Sequence, residues 1–292
     1  MQLVLIGFGE AAYNIAIGLK SEGLTDIGAY DVNATNPQLG EMIQKRAKEA
    51  DVKLFDSLES AYRSGKFIAS LTSAKVAVNV AESIIPHLKE KQVYVDMNSA
   101  APTIKADIAR IPHAEGVKFC DAAVMGTVPG NKHKVPMFLA GEGAKDFERE
   151  FSQYGMKLTV LDAEAGGASA IKMFKSVVMK GIPQLMFESF EAAQNYGVLD
   201  TLVKSLSSSI NGKTVEQLAD TFIARTMIHA SRRSAEMKDV VATLESLGVD
   251  ASMSKATVHK LDHMAEQNWV NKLGAGGDKM DYKEAMKHFI ER

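Results

Sequence analysis

Lys172 is the side chain in this sequence best suited to moving a proton. It lies in Gly166-Gly167-Ala168-Ser169-Ala170-Ile171-Lys172-Met173-Phe174-Lys175-Ser176, which opens a helical pattern running to about Asn195 with Pro183 inside it. Three- and four-residue spacing puts Ser169, Lys175 and Ser176 on its face. Small residues before it let another surface approach closely. Partial burial, with Lys175 as a neighbouring cation, would depress the lysine pKa and fit it for general acid–base work. The plain alternative is a solvated lysine. Ile171, Phe174, Val178, Leu185 and Met186 recur near the helical period and predict a buried stripe.

A second group could hold a phosphate. Leu3-Val4-Leu5-Ile6 reads as a strand, followed by Gly7-Phe8-Gly9-Glu10-Ala11-Ala12 and a helical pattern through Ile15 and Leu19. The first glycine permits a tight turn, the second lets backbone approach a pyrophosphate, and the small third residue packs helix on strand. Backbone of Gly7, Phe8, Gly9, Glu10 and Ala11 would face the phosphates at a helix N-terminus. Asp31 ends the next strand, about 20 residues on, where a carboxylate accepts from ribose hydroxyls. No arginine lies within Asp31-Val32-Asn33-Ala34-Thr35 to receive a 2′-phosphate, which favours NAD over NADP. A turn or capping aspartate is the alternative.

Other candidates lie at expected strand ends, where doubly wound sheets bind ligands. Leu71-Thr72 follows one strand and would border the cofactor. Asp96-Met97-Asn98-Ser99-Ala100-Ala101-Pro102 follows another. There Asn98 and Ser99 would hold a carboxylate, with Asn98 also near the cofactor, or would merely cap the helix that Pro102 begins. The loop at Gly126-Thr127 could offer backbone N–H groups to the same pocket. Further on, His229, Arg232, Arg233 and Glu236 are spaced to share one helix face. His229 and Arg232 are candidates for a substrate anion, and a salt-bridged face through Glu236 and Asp239 is the competing reading.

The elements that must position these residues alternate through the first half. Strands are expected near 3–6, 26–31, 52–55, 67–73, 92–96, 117–121, 135–140 and 158–161, with helices near 37–49 and 76–88. The second half is helical over 200–210, 214–247, 252–267 and 282–290, with a flexible break at Gly274-Ala275-Gly276-Gly277. The fold expected is α/β: an N-terminal Rossmann-type, parallel doubly wound sheet, then an all-α C-terminal domain joined by a long helix. The domains are placed at 1–163 and 164–292, the first binding dinucleotide and the second serving substrate and dimerisation. Met173, Met179, Met186, Met227 and Met237 read as adaptable core filler.

Composition narrows the function. The 292 residues are 46% hydrophobic with a formal net charge of −2, which gives no reason to expect nucleic acid or an anionic membrane as partner. Cys120 is the one cysteine, so an internal disulfide and Cys-rich metal sites are excluded and no metal is expected. No signal segment or membrane span is apparent, and a cytoplasmic location is expected.

Four motifs in order carry a resemblance: Gly7-x-Gly9-x-x-Ala12, Asp96-x-Asn98-Ser99-x-x-Pro102, Asp121-Ala-Ala-Val-Met-Gly126-Thr127 and Gly167-x-x-x-x-Lys172. Together they resemble the β-hydroxyacid dehydrogenases, the superfamily of 6-phosphogluconate and 3-hydroxyisobutyrate dehydrogenases. The segment around His229–Met237 is similar to the helical C-terminal domain of a less characterised branch. The resemblance implies that Lys172 is the catalytic lysine, that Asn98 and Ser99 form the substrate-binding segment, and that Gly126-Thr127 holds the substrate carboxylate. It also implies a homodimer formed through the helical half.

Three departures stand out. Ser176 replaces the family's asparagine four residues after the lysine, Thr127 replaces a glycine, and Met179 stands where decarboxylating members have a proton-donating glutamate. These point to simple hydride transfer between NAD and a small polar 3-hydroxy acid, with Ser176 as a shortened substrate contact. The competing readings are oxidative decarboxylation, imine or ketone reduction, and a non-catalytic NAD-binding sensor.

Overall fold

The structure, a computed structural model, describes residues 1–274 and 276–291. Ala275, within the expected glycine-rich break, lies outside the described residues. The chain divides into two compact units, Met1–Val177 and Val178–Arg292. The division falls within the long helix, so its first turns cluster with the sheet.

The first unit is built on one eight-stranded sheet. Its strands are β1 (Leu3–Ile6), β2 (Ile27–Tyr30), β3 (Lys53–Leu54), β4 (Phe67–Ser70), β5 (Val93–Asp96), β6 (Lys118–Val124), β7 (Met137–Ala140) and β8 (Leu158–Val160). Their order is β3-β2-β1-β4-β5-β6-β7-β8. All neighbours are parallel except β6 and β7. A parallel return needs a crossover of a dozen or more residues, usually a helix. Between β6 and β7 stand only the four-residue α6 (Val128–Asn131) and a short 3-10 turn, and the chain returns antiparallel. The parallel doubly wound sheet expected from the sequence is present, with β6–β7 as its one antiparallel pair.

Both sheet faces are covered, which explains the continuous apolar runs of the strands. On one face, Leu3, Leu5, Phe67, Ala69, Val93 and Val95 pack with α1 (Glu10–Ser21), α2 (Gly40–Glu49) and, further along the chain, α7 (Ala144–Phe151). Phe67, Phe147 and Phe151 form an aromatic cluster there, with ring centroids 4.5–5.8 Å apart. On the other face, Val4, Ile6, Ile68, Tyr94 and Phe119 pack with α3 (Leu58–Ser64), α4 (Ala77–Glu82) and α5 (Pro102–Ala109). The helix expected over 76–88 stops at Glu82 and continues as a 3-10 turn at Ile85–His87, where Pro86 lacks the N–H an α-helix needs.

Helix α8 (Gly167–Asn195) is continuous through Pro183. Its apolar stripe is not buried. Phe174, Val178, Leu185 and Met186 are 42–69% exposed. The period in the sequence is real, but among the described residues that face is left largely exposed. The methionines split likewise: Met227 is core, Met237 is half-buried, and Met173, Met179 and Met186 are exposed.

The second unit contains the rest of α8, then α9 (Leu199–Ile210), α10 (Val215–Ile228), α11 (Ala230–Ser246), α12 (Ser252–Glu266), α13 (Trp269–Leu273) and α14 (Tyr282–Ile290). The single helix expected over 214–247 breaks at His229, which ends α10 and starts α11. A small core of Ala224, Met227, Trp269 and Ala285 joins α10, α13 and α14. Among the described residues, no helix is long and apolar enough to cross a membrane.

The N-cap of α12, Ala251, has no capping side chain; the preceding Asp250 accepts the Ser252 N–H at 3.1 Å, and Glu188 of α8 reaches over and accepts the N–H groups of Met253 and Ser254 at 2.8 and 2.9 Å. A carboxylate there satisfies orphan donors and meets the positive end of the helix dipole. Glu188→Ala is therefore expected to destabilise the protein by about 1 kcal/mol, read as a lower denaturation midpoint with an unchanged denaturant slope.

Candidate active site

The cleft at the ends of β1, β2 and β4 is shaped first by backbone. Gly7 has φ +87°, and a Cβ there would lie 2.7 Å from the Leu71 carbonyl oxygen, so only glycine fits. Gly9 is the N-cap of α1 and has open space where a Cβ would stand. Having no side chain, it leaves the first-turn N–H groups of α1, including those of Glu10 and Ala11, without a local cap. Ala12 is buried where helix meets sheet.

Asp31 does two jobs by geometry. Its Oδ2 accepts from the Phe8 N–H at 2.7 Å and its Oδ1 from the Asn33 N–H at 2.9 Å. The carboxylate thus braces the glycine loop, as a turn aspartate would, and still lines the cleft. That cleft encloses about 620 Å³ between Gly7, Gly9, Asp31, Thr72 and the face of α4. Tyr30, Val32, Val76, Asn79, Val80 and Ser83 also line it and were not singled out from the sequence. The available signal was Val32, an apolar residue directly after the acid that is 75% exposed.

Beside this cleft the sheet carries a buried polar row. Ser70, Asp96 and Asp121 are in register on β4, β5 and β6, and all three are sealed from solvent. Asn98 is tied into the row: its amide donates to Ser70 Oγ at 2.9 Å and Asp96 Oδ1 at 2.7 Å, and its Oδ1 accepts from Thr72 at 3.3 Å. Asn98 therefore joins the Thr72 and Asp96 strand ends. The simple capping reading fails, because Ala101 is the N-cap of α5 and no side chain caps it. Ser99 follows, exposed, at the strand end.

Asp121 anchors the helix that carries Lys172. It accepts from the N–H groups of Gly166 and Ser169 at 3.1 and 3.0 Å and from Ser169 Oγ at 2.8 Å. Gly166 has φ +101°, and a Cβ there would stand 2.7 Å from the Pro102 carbonyl oxygen. The starts of α5 and α8 therefore meet at backbone distance.

Lys172, one turn beyond Ser169, is half-buried. Burial lowers its pKa from the usual lysine value, and the cation of Lys105 lowers it further. Lys175, the neighbour expected to act this way, is exposed; the acting cation comes instead from α5. Nothing in the one-dimensional pattern marked Lys105, three residues after Pro102. Ser176 Oγ donates back to the Lys172 carbonyl at 3.0 Å, so its proton belongs to its own helix while its lone pairs stay available. Gly126 and Thr127 are exposed on the loop after β6, and Thr127 is the N-cap of α6.

His229 and Arg232 belong to the second unit. Arg232 pairs with Glu236, and Arg233 donates to Thr226 Oγ1 at 2.6 Å. The pairing expected of a salt-bridged face forms at Glu236.

Residues 2–160 match the NAD binding domain of 6-phosphogluconate dehydrogenase, and residues 193–264 match a domain of unknown function, DUF1932. The chain belongs to the 6-phosphogluconate dehydrogenase-like family of NAD-binding oxidoreductases. A conserved hypothetical protein from Sinorhizobium meliloti 1021 is 32% identical over 90% of this chain and 87% of that one, with a TM-score of 0.66. A conserved protein of unknown function with structural similarity to 3-hydroxyacid dehydrogenases is 27% identical over 92% of this chain and 98% of that one, with a TM-score of 0.63. An imine reductase from Aspergillus terreus in complex with NADPH4 reaches a TM-score of 0.75 at 14% identity over 98% of each chain, a likeness of fold alone. The fold is that of a dehydrogenase with a nicotinamide-dinucleotide-binding domain.

The two glycines of the loop should behave differently when given a Cβ. Gly9→Ala meets open space, so its thermal midpoint should stay near wild type while calorimetry with NAD shows weakened binding. Gly7→Ala should lower the midpoint itself, because strain and the clash with Leu71 act without any ligand.

Proposed function

We propose that this protein is an NAD-dependent dehydrogenase of a small polar 3-hydroxy acid, working by simple hydride transfer with Lys172 as general acid–base. The observation that carries the reading is the setting of Lys172: half-buried, with a lowered pKa, on a helix whose first turn is anchored to the strand beside Asn98. The bound nicotinamide supplies the hydride acceptor. Neutral Lys172 takes the hydroxyl proton, and in reverse its ammonium donates to the carbonyl. Ser99 and the backbone around Gly126 and Thr127 receive the carboxylate. Ser176, with its proton engaged, offers only an acceptor to a substrate hydroxyl. His229 and Arg232 are proposed to contribute to anion binding from the second unit.

NAD is favoured over NADP because Asp31 lines the cleft, where its carboxylate would repel a 2′-phosphate, and no arginine follows it through Thr35. The NADPH4 in the imine reductase belongs to a protein of 14% identity. Simple oxidation is favoured over decarboxylation because Met179, exposed on α8, has no proton to donate.

The deciding experiment follows reduced-nicotinamide absorbance over a panel of 3-hydroxy acids, aldonates and their phosphates, with NAD and NADP. Lys172→Met is expected to lower kcat by about 10²–10⁴-fold. Oxidation needs the neutral amine, so it should rise as pH passes upward through the lowered Lys172 pKa, and carbonyl reduction should fall through the same value. Turnover that survives the substitution with its pH limb intact would remove Lys172 from the role. Nicotinamide binding without turnover on any acid would favour a sensor.

We also propose a homodimer. Phe174, Val178, Ile182 and Leu185 make an exposed stripe at three- and four-residue spacing on α8, and a second copy would supply the cover the chain lacks. Light scattering should give twice the 31.6 kDa chain mass, and Leu185→Asp should return it to the monomer value. A wild-type monomer at micromolar concentration would end the idea.

A further inference from the structure

Among the described residues Lys105 is the lysine that is fully sealed from solvent, and hydride transfer as proposed makes no direct use of it. Its Nζ donates to the Asp96 backbone carbonyl at 2.7 Å and lies 3.3 Å from Oδ1 of both Asp96 and Asp121. Each carboxylate then reaches a different part of the site. Asp96 Oδ1 accepts from the backbone N–H and side-chain amide of Asn98 at 2.8 and 2.7 Å. Asp121 accepts the three bonds from Gly166 and Ser169 that start α8.

We propose that Lys105 is a positioning residue for the reaction: its ammonium grips Asp96 and Asp121 together, holds the Asn98–Ser99 strand end and the first turn of the Lys172 helix in one arrangement, and places a positive charge beside Lys172. The proposal rests on Lys172 being the acid–base residue. Stability alone is a poor account of the cluster, since apolar residues often replace buried ion pairs at no loss. An apolar replacement could not bind both carboxylates at once. The lowered pKa of Lys172, to which Lys105 contributes after burial, agrees with the geometry. The charge that acts on Lys172 is Lys105 from α5, which is itself flanked by Asp96 and Asp121 of β5 and β6, while Lys175 on the same helix as Lys172 is exposed.

Two substitutions change the charge of the cluster in opposite senses. Asp96→Asn keeps the Oδ1 acceptor and puts its NH2 where Oδ2 has no hydrogen-bond partner, so it removes one negative charge with little change of shape. Lys105→Met removes one positive charge. Acetic anhydride labelling of Lys172 in the full chain across pH, read by peptide mass spectrometry with Lys175 as internal reference, reports the Lys172 amine without requiring turnover.

The Lys172 labelling midpoint should move to lower pH in Asp96→Asn and to higher pH in Lys105→Met, and the pH limb of turnover should move with it. A general loosening of the fold would move both variants the same way; that result, or no movement in either, overturns the proposal. If Lys105→Met does not fold, Asp96→Asn decides alone, and an unmoved or raised midpoint overturns it. Failure of the acid–base assignment would show separately, as turnover retained in Lys172→Met.

Discussion

Three charges closed off from water have to satisfy one another, and much of the first unit is arranged so that they do. Sealing an ion costs several kcal/mol, and leaving one partner of a buried pair alone costs about 3–5 kcal/mol. Lys105, Asp96 and Asp121 escape that penalty only while α5 lies on the sheet, β5 stays in register with β6, and Gly166, just before α8, keeps its bond to Asp121. The cluster therefore links a helix, two strands and a second helix through one set of contacts. The remaining donors are backbone and side-chain groups at the strand end and helix start that bear Asn98 and Lys172. The contacts that satisfy the buried charges are therefore also the ones made by the strand end and the helix start.

The cleft at the ends of β1, β2 and β4 depends on a different constraint, the close approach of backbones. Gly7 sits against the Leu71 carbonyl, and the Phe8 N–H is held by Asp31. Because Asp31 stabilises the loop and also faces the cleft, changing it to alter cofactor preference would loosen the loop as well. Asn98 joins this cleft to the buried charges through Thr72 and Ser70. A disturbance at the strand ends is then felt in both places.

Helix α8 combines two unlike surfaces. Its start is tied by Asp121 and packs through Ala168 against Ala123 and Ala140. Further along, Phe174, Val178, Ile182 and Leu185 face solvent within the single chain. Such a stripe costs solubility unless something covers it, which is the physical basis for placing a second copy there. The hydrogen bond of Ser176 to its own helix backbone, in turn, is available to serine because its side chain is short.

The sequence by itself determined the alternating first half, the helical second half, the glycine loop, its acid and the lysine that follows a double glycine. Each of these rests on local rules: side-chain period, the conformations open to glycine, and the spacing from one strand end to the next. It could not determine which lysine acts on Lys172, because Lys105 and Lys172 are brought together by sheet register and the packing of α5, not by any spacing. Nor could it tell a stripe buried in its own chain from one left bare, since both show the same period. The antiparallel return of β7 and the break at His229 were likewise decided in three dimensions, by the short link after β6 and the packing of α10 with α13 and α14. Local chemistry is written along the chain; the pairing of distant charges and the covering of apolar faces depend on contacts that exist only after folding.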